Sequence, residues 1–569
     1  MNIVKQVHLG SGAYGDVYKT IDRNNADHVV ALKVMKNDKD TGEIRDSTMR
    51  EFNYIQLLQH PNLVNADPLV YNDRTSHAVF INEEKPRTEL SLEMLNGDLS
   101  SLATHVLTPE VLRKLVSDIT NGLYYIHSMG YIHNDLKPDN ILYKLTDGTY
   151  TFKIGDLGLA QYLGIPFPDK VTSFLCTAHV KAPNSVKDSF YVESNKYNYN
   201  SDMFSLGATM FWTCMKRHNV LWTTFKINES EVFVDIRKPN FLAQVDNLKA
   251  MFGEDGYDFL IKCMAPKSSE RMSSKAALEH PYIRVLRGGA ISGLFKTITD
   301  LYREPTVEEV TDSKYELEYL EDMYNGYKDN RVNLYIDYSS QTGNLNNRSS
   351  LILTSWLHEV FNHFKLESFE TFLQTKLNLK MLINAKKDIT TRDLQLYGLN
   401  MFRMCDKLYS NFENSHIDID NYIWVSRNLY TYERLNTNER DILRAFDCKV
   451  PFTPIMFFLN YWYLKSIYTH PHKRANLKVL TTGVAIICAI LSSNQPELED
   501  VKMDDLAKYC IRKAISIQDY TESANTLLLD ILDELKLNLD GYISVFIEKE
   551  YDLEYYTMIK QIILNDLDN

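Results

Sequence analysis

Along the first half of the chain the period of the apolar positions keeps changing. Val29-Val30-Ala31-Leu32-Lys33-Val34 is a short β-branched run of strand character, whereas Val111 to His127 repeats apolar residues at helical spacing. Residues 1–285, with turn signals between such runs, therefore read as mixed α and β. From about residue 312 onward the strand patterns almost vanish. Leu353, Leu357, Phe361 and Phe364, with Ile352, Trp356 and Val360 beside them, make one broad apolar helical face. Further helical segments follow across polar breaks at 384–388 and 492–496, so the second half reads as all-α.

An acidic stretch separates the halves: eight acidic residues and one lysine lie between Glu304 and Asp322. The spacing of Tyr315, Leu317, Tyr319, Leu320, Met323 and Tyr324 predicts that its second part is an amphipathic helix that docks onto something. Composition narrows the classes. The 569 residues are 44% hydrophobic, enough to bury several cores, and acidic residues exceed basic ones by 13. That balance argues against a direct nucleic-acid binder, whose footprint is basic. The seven cysteines are odd in number and lack a Cys-x-x-Cys, which points to a reducing, intracellular home in cytoplasm or nucleus. No signal peptide is visible, and the most apolar run, Val484 to Leu491, is far short of the about 20 residues a membrane span needs. No membrane partner is expected.

The chemistry-bearing motifs lie in the first half. Gly10-Ser-Gly12-Ala-Tyr-Gly15-Asp-Val17 offers backbone that can approach phosphates without Cβ clashes. The lysine that follows, Lys33, sits on a strand and outside the glycine motif, which excludes a Walker-type loop. Then come His133-Asn134-Asp135-Leu136-Lys137-Pro138-Asp139-Asn140 and Lys153-Ile-Gly-Asp156-Leu157-Gly158. Phosphoryl transfer needs a carboxylate for the hydroxyl proton, oxygen ligands for Mg²⁺ and a cation on the transferring phosphate. Asp135, Asn140, Asp156 and Lys137 supply those groups in the required order.

On these motifs residues 1–285 resemble the eukaryotic protein kinases. The resemblance implies a two-lobed α+β fold with a β-rich first lobe and a helical second lobe, and ATP with Mg²⁺ as cofactors. It assigns Lys33 to the α- and β-phosphates, paired with Glu51, and Asp135 to the catalytic base. Lys137 falls to the γ-phosphate, Asn140 and Asp156 to magnesium. Gly10, Gly12, Gly15 and Val17 form the nucleotide loop, Glu93 and Leu95 the adenine hinge behind a gatekeeper Leu92. Thr177, with Lys137, resembles serine/threonine rather than tyrosine kinases. Arg45-Asp-Ser-Thr-Met-Arg50-Glu51 and Gly164-Ile-Pro166 resemble cyclin-dependent kinases in particular.

The second half resembles a cyclin with two helical repeats. The residues that carry this are Arg348 to Val360, Thr391 to Gly398, Met404-Cys-Asp-Lys407, Tyr422 to Glu433 and Asn438-Glu439. The implied layout is a kinase domain at 1–288, a linker at 289–311, an N-terminal helix and first cyclin box at 312–448, and a second repeat at 449–569. In cyclins a lysine and a glutamate at the positions of Lys407 and Glu439 grip the region of the kinase helix that carries Glu51. Ile352, Leu353, Trp356 and Gln395 fall where cyclins dock substrate motifs. The implied protein is a serine/threonine kinase activated intramolecularly by its own cyclin part, working as a monomer on protein substrates. A fusion this compact would suit a large DNA virus by analogy. The alternative is a pseudokinase or scaffold whose cyclin part recruits partners; the intact Lys33, Glu51, Asp135, Asn140 and Asp156 argue against it, since a scaffold needs none of them.

Several positions depart from the pattern. Asn134 and Gln161 stand where two phosphate-clamping arginines are usual, leaving Arg50 alone, although Thr172 is at the phosphorylatable position. Activity is therefore expected to depend little on phosphate at Thr172. Tyr14 stands where cyclin-dependent kinases accept an inhibitory phosphate. Asn184 replaces a glutamate that ordinarily pairs with the residue at Arg271.

Overall fold

The computed structural model describes residues 3–164, 199–217, 239–284 and 319–518, apart from short stretches at 12–14, 23–24, 38–41, 68, 72–73, 77, 82–86, 266–269, 365–368, 410–416, 470–482, 485, 489, 492–493 and 495–497. The linker at 289–311 and the positions of Gly12, Tyr14, Thr172, Thr177 and Asn184 lie outside the described residues. The chain divides into two compact units. The first comprises 1–37, 44–168 and 178–319; the second comprises 320–569 together with the stretches 38–43 and 169–177.

The first unit opens with a five-stranded antiparallel sheet. Strands β1 (Ile3–Ser11), β2 (Gly15–Asp22) and β3 (Asn25–Met35) lie side by side, and β3 pairs in turn with Arg87–Glu93, which pairs with Ala78–Ile81. On β3 the side chains of Val30 and Leu32 point to one face while Ala31, Lys33 and Met35 point to the other. All five are buried, which is why this strand reads as an unbroken apolar run around a single lysine. Gly15 sits opposite Met35, and a Cβ added there would come within 2.6 Å of the Val34 carbonyl oxygen. Only glycine lets β2 approach β3 so closely. Helix α1 (Asp46–Leu57) carries Glu51.

The helical part of this unit is built on α2 (Pro109–Ser128), whose start is fixed by a Thr108 hydroxyl accepting from the Val111 N–H and by Pro109 in the first turn. With α3 (Tyr199–Arg217) and the segment Val245–Cys263, two helical pieces broken at Gly253 (φ 74°), it forms the core. The hairpin Ile141–Thr146 and Thr149–Ile154 lies after the loop 133–140. A two-residue pairing, Ile132 with Gln161 and Tyr131 with Tyr162, closes the base of that loop.

Among its described residues the second unit is helical, with one small strand pair, Arg331–Val332 against Val501–Lys502. The apolar face read from the sequence belongs to the helix Asn347–Phe364, with Leu353, Leu357, Val360 and Phe361 buried. The helix Phe369–Ala385 is buried along most of its length, including Thr371, Gln374, Thr375, Lys376, Asn378 and Lys380. Helices Leu394–Tyr409, Tyr432–Ala445, Ile455–Thr469 and Met503–Gln518 follow. Of the helix expected from the pattern 315–324, residues 315–318 lie outside the described residues and the described part runs Leu320–Tyr327; Tyr319, one residue earlier, groups with the first unit. No described helix is long and apolar enough to cross a membrane, and no disulfide joins the described cysteines.

Candidate active site

Two small constellations in the first unit gather the predicted Lys33, Glu51 and Asp156 and the predicted Asp135, Lys137 and Asn140. In the first, Lys33 on β3 and Glu51 on α1 meet as a two-pronged ion pair, Nζ lying 2.5 and 2.6 Å from the two carboxylate oxygens. Asp156 Oδ1 is 3.7 Å from the same ammonium. Burial works against the Lys33 charge, but the carboxylates of Asp156 and Glu51 outweigh it and hold the ammonium above its ordinary pKa. The lysine therefore stays charged, as binding a phosphate would require. Asp156 adopts a left-handed backbone, φ 58°, and its carboxylate accepts from the Gly158 N–H at 3.3 Å. A non-glycine residue held in that region is sustained by its surroundings, and such positions concentrate at functional sites. Burial alone would raise the Asp156 carboxyl; Lys33 and the Gly158 N–H hold it below the usual range.

The second constellation belongs to the loop 133–140. Lys137 Nζ is 3.0 Å from Asp135 Oδ2, and Asn140 Nδ2 donates to both the Asp135 carbonyl (2.8 Å) and its Oδ2 (2.9 Å). Burial raises the Asp135 carboxyl while Lys137 opposes the rise, so this acid accepts a proton more readily than an exposed aspartate. The loop is fixed from beneath by Asp202 of α3. Its two oxygens accept from the N–H groups of His133 (2.7 Å) and Asn134 (2.9 Å). His133 Nε2 reaches the Gly155 carbonyl at 2.9 Å, and the Gly155 N–H donates to the Asn140 carbonyl at 2.8 Å, which ties the loop to the strand that ends at Asp156.

This donor set suits a magnesium nucleotide. Mg²⁺ takes hard oxygen ligands, one or two from the protein and the rest from phosphates and water. Asp156 offers a carboxylate and Asn140 an amide oxygen, its Nδ2 being committed to Asp135. Gly10 on β1 has no atom within 4 Å of where a Cβ would stand, and Gly15 packs on Val34. Both fit a backbone cradle for phosphates. At the hinge, Leu95 is buried and Leu92 half-buried. The Glu93 carboxylate is occupied within the protein, accepting from Lys153 Nζ (2.6 Å) and the Asn65 N–H (2.9 Å), so an adenine contact there would fall to the backbone.

The remaining predicted residues are placed as follows. Arg50 is buried beside Glu51 on α1, and Val17 is half-buried on β2 opposite Lys33. Asn134 Nδ2 donates to Gln161 Oε1 and to the Leu159 carbonyl, each at 3.3 Å, so the two residues that stand in for arginines bond to one another. Arg271 donates from Nε to the Ala265 carbonyl at 2.7 Å, and its guanidinium lies 4.8 Å from the centre of the Phe204 ring.

In the second unit, Lys407 and Glu439 form one buried cluster. Lys407 Nζ is 3.0 Å from Glu439 Oε1 and 2.7 Å from Glu43 Oε1. Arg403 is 3.0 Å from Glu439 Oε2 and 3.1 Å from Glu43 Oε1, and it also donates to the side-chain oxygens of Asn400 and Asn436. Arg440 donates to the Gly42 carbonyl at 3.3 Å. Sequence reasoning named Lys407 and Glu439 and missed Arg403 and Glu43. A signal existed in part: Arg403 and Lys407 are four apart on one face of a helix, and two cations so placed call for facing acids. Of the docking candidates, Ile352 is 42% exposed, Trp356 and Gln395 are half-buried, and Leu353 is buried against Gly398. Gln395 Oε1 accepts from the Tyr430 hydroxyl at 3.2 Å.

Comparison with known proteins agrees with this geometry. Residues 3–283 match the protein kinase domain family, and residues 322–451 match the cyclin N-terminal domain family. The chain is 25% identical over 349 residues to "Serine/threonine-protein kinase ssn3" of Emericella nidulans, covering 50% of this chain and 78% of that one. It is 24% identical over 277 residues to "Probable serine/threonine-protein kinase fhkB" of Dictyostelium discoideum, covering 48% of this chain and 22% of that much longer protein.

Proposed function

With a protein kinase domain and a cyclin N-terminal domain carried in one polypeptide, we propose that this chain is an ATP-dependent serine/threonine kinase of cyclin-dependent type, switched on by its own cyclin part. The observation that carries the reading is the two-pronged Lys33–Glu51 pair, in a chain whose stretch just upstream of the Glu51 helix is held in the second unit by Arg403, Lys407 and Arg440. Bound Mg²⁺–ATP supplies the phosphoryl group and the cation that neutralises its charge, with Asp156 and Asn140 as the metal's protein ligands. Lys33 binds the nucleotide phosphates, with Glu51 fixing the direction of its ammonium. Asp135, held by Asn140 and Lys137, orients the substrate hydroxyl and takes its proton. Lys137, 3.0 Å from Asp135, meets the transferring group's charge.

The test is label transfer from γ-labelled ATP to a generic basic protein, using the full chain and Asp135→Asn. The wild type should label the substrate, and the variant should lose at least about 100-fold in rate, the span expected when a general base is removed. Transfer by both, or by neither, rules the reading out. Labelling on tyrosine alone would remove the serine/threonine assignment.

A further inference from the structure

Tyr319 is a fully buried tyrosine that phosphoryl transfer itself does not call for. Its ring lies against Tyr199 (centroids 5.1 Å apart), edge-on to His127 (5.7 Å) and beside Tyr124 (6.4 Å). Its hydroxyl is 2.7 Å from Ser274 Oγ. Ser274 Oγ is in turn 2.9 Å from His127 Nδ1, and His127 Nε2 is 3.0 Å from Asp202 Oδ2. Asp202 is the residue that accepts from the N–H groups of His133 and Asn134, and Asp135 comes next in the chain. Every side chain of this series is at most 1% exposed.

The donors can all point one way. With His127 as the Nε2–H tautomer, the Tyr319 O–H donates to Ser274, the Ser274 O–H donates to His127 Nδ1, and His127 donates to the Asp202 carboxylate. Hydrogen bonds aligned in series in a low-dielectric interior polarise and orient one another. A neutral imidazole has two ring faces and two tautomers to choose from, and the partner at one nitrogen decides what the other does. Ser274 lies in the short helix Ser274–Leu278, whose N-cap is the adjacent Ser273, so its backbone is fixed and only the hydroxyl rotor is free. The Tyr319 hydroxyl sets that rotor.

We propose that Tyr319 is a positioning residue for the catalytic loop, acting through Ser274 and His127 to hold Asp202 in the orientation that fixes the backbone before Asp135. The proposal rests on the kinase reading for its consequence, though not for its geometry. Tyr319 is also the residue at which the chain leaves the first unit, with Leu320 opening the helix Leu320–Tyr327 of the second.

The full chain is the right material. Tyr319→Phe keeps the ring in its aromatic setting and deletes only the hydroxyl. It should lower kcat about 5-fold, the effect of one hydrogen bond in a buried network, with KM for ATP unchanged because Lys33, Glu51 and Asp156 are untouched. A purely structural role would shift the unfolding temperature and leave kcat alone. Ser274→Ala should lower kcat at least as far, and the double variant no further, because links in series are lost once. The ring nitrogens of His127, followed by ¹⁵N NMR, should shift in Tyr319→Phe. Wild-type kcat in a folded Tyr319→Phe chain overturns the proposal, as do additive effects of the two substitutions. Should the wild type transfer no phosphate at all, the kinase reading fails on its own, and the His127 spectrum decides the relay: a shift upholds it and an unmoved ring refutes it.

Discussion

Glu43 shows how much one side chain can carry. Its carboxylate lies within 3.1 Å of both Arg403 and Lys407, and Glu439 faces the same two cations. Two acids balance two bases in a place where Arg403, Lys407 and Glu439 are nearly free of solvent. Removing one partner of a buried ionic cluster costs much more than the intact cluster contributes, because the opposite charge is left uncompensated. Glu43→Gln should therefore lower stability by about 3 kcal/mol in chemical denaturation, while an exposed acid such as Glu254, paired only with Lys249 at the surface, should cost under about 1 kcal/mol. Equal losses would refute the account. At this scale the proposed catalytic set could be picked out beforehand, since Lys33, Asp135, Asn140 and Asp156 sit in motifs whose spacing is itself the signal. Glu43 was not legible, because its meaning lies in Arg403, 360 positions further along the chain.

Among the elements, the helix Phe369–Ala385 was the hardest to read. It carries Glu370, Gln374, Lys376 and Lys380, which in a sequence suggest a solvated face, yet all four are buried. Each finds a fixed partner instead. Lys380 donates to the Leu334 carbonyl at 2.7 Å, and Glu370 accepts from the N–H groups of Ile455 and Met456, at the start of the helix Ile455–Thr469. No local period announces such pairings. The amphipathic helix Asn347–Phe364, by contrast, was evident from its apolar stripe because one side of it faces water. The cap formed by Glu370 has a pH signature. Burial pushes its carboxyl up to about 7, against the opposing hydrogen bonds from Gln374, Met456 and Ile455. The folded state thus holds this proton more tightly than the unfolded chain. The stability it contributes is full below about pH 4.5, the ordinary glutamate value, and is lost as the pH rises through about 7. Glu370→Gln cannot ionise, so its unfolding temperature should gain on that of the wild type across this interval; parallel profiles would show that burial does not govern the site.

At the scale of the whole molecule, the two units share one polypeptide, so on the proposed reading the second reaches the first without a diffusional encounter. A flexible tether that can bridge its sites sustains an effective concentration in the millimolar range, on the order of 1 mM. A protease site inserted at 289–311 makes this measurable. The intact chain should keep constant specific activity on dilution from micromolar to nanomolar, whereas the cut chain should lose activity progressively; a cut chain that held its activity at every dilution would show that the tether is dispensable. The order of the two parts was legible because each carries its own motif set. The division at Tyr319 was not, since the apolar spacing over 315–324 says that the segment docks but not that Tyr319 and Leu320 belong to different units. Its placement affects how the molecule can be divided. A truncation after residue 284, where the last described helix of the first unit ends, would look complete by fold and would still be missing the last side chain of its own interior. Gene-splitting or domain-shuffling schemes that treat the first unit as portable should carry the reading frame through Tyr319, or they will leave Ser274 without its tyrosine partner in the interior that lies beneath the loop 133–140.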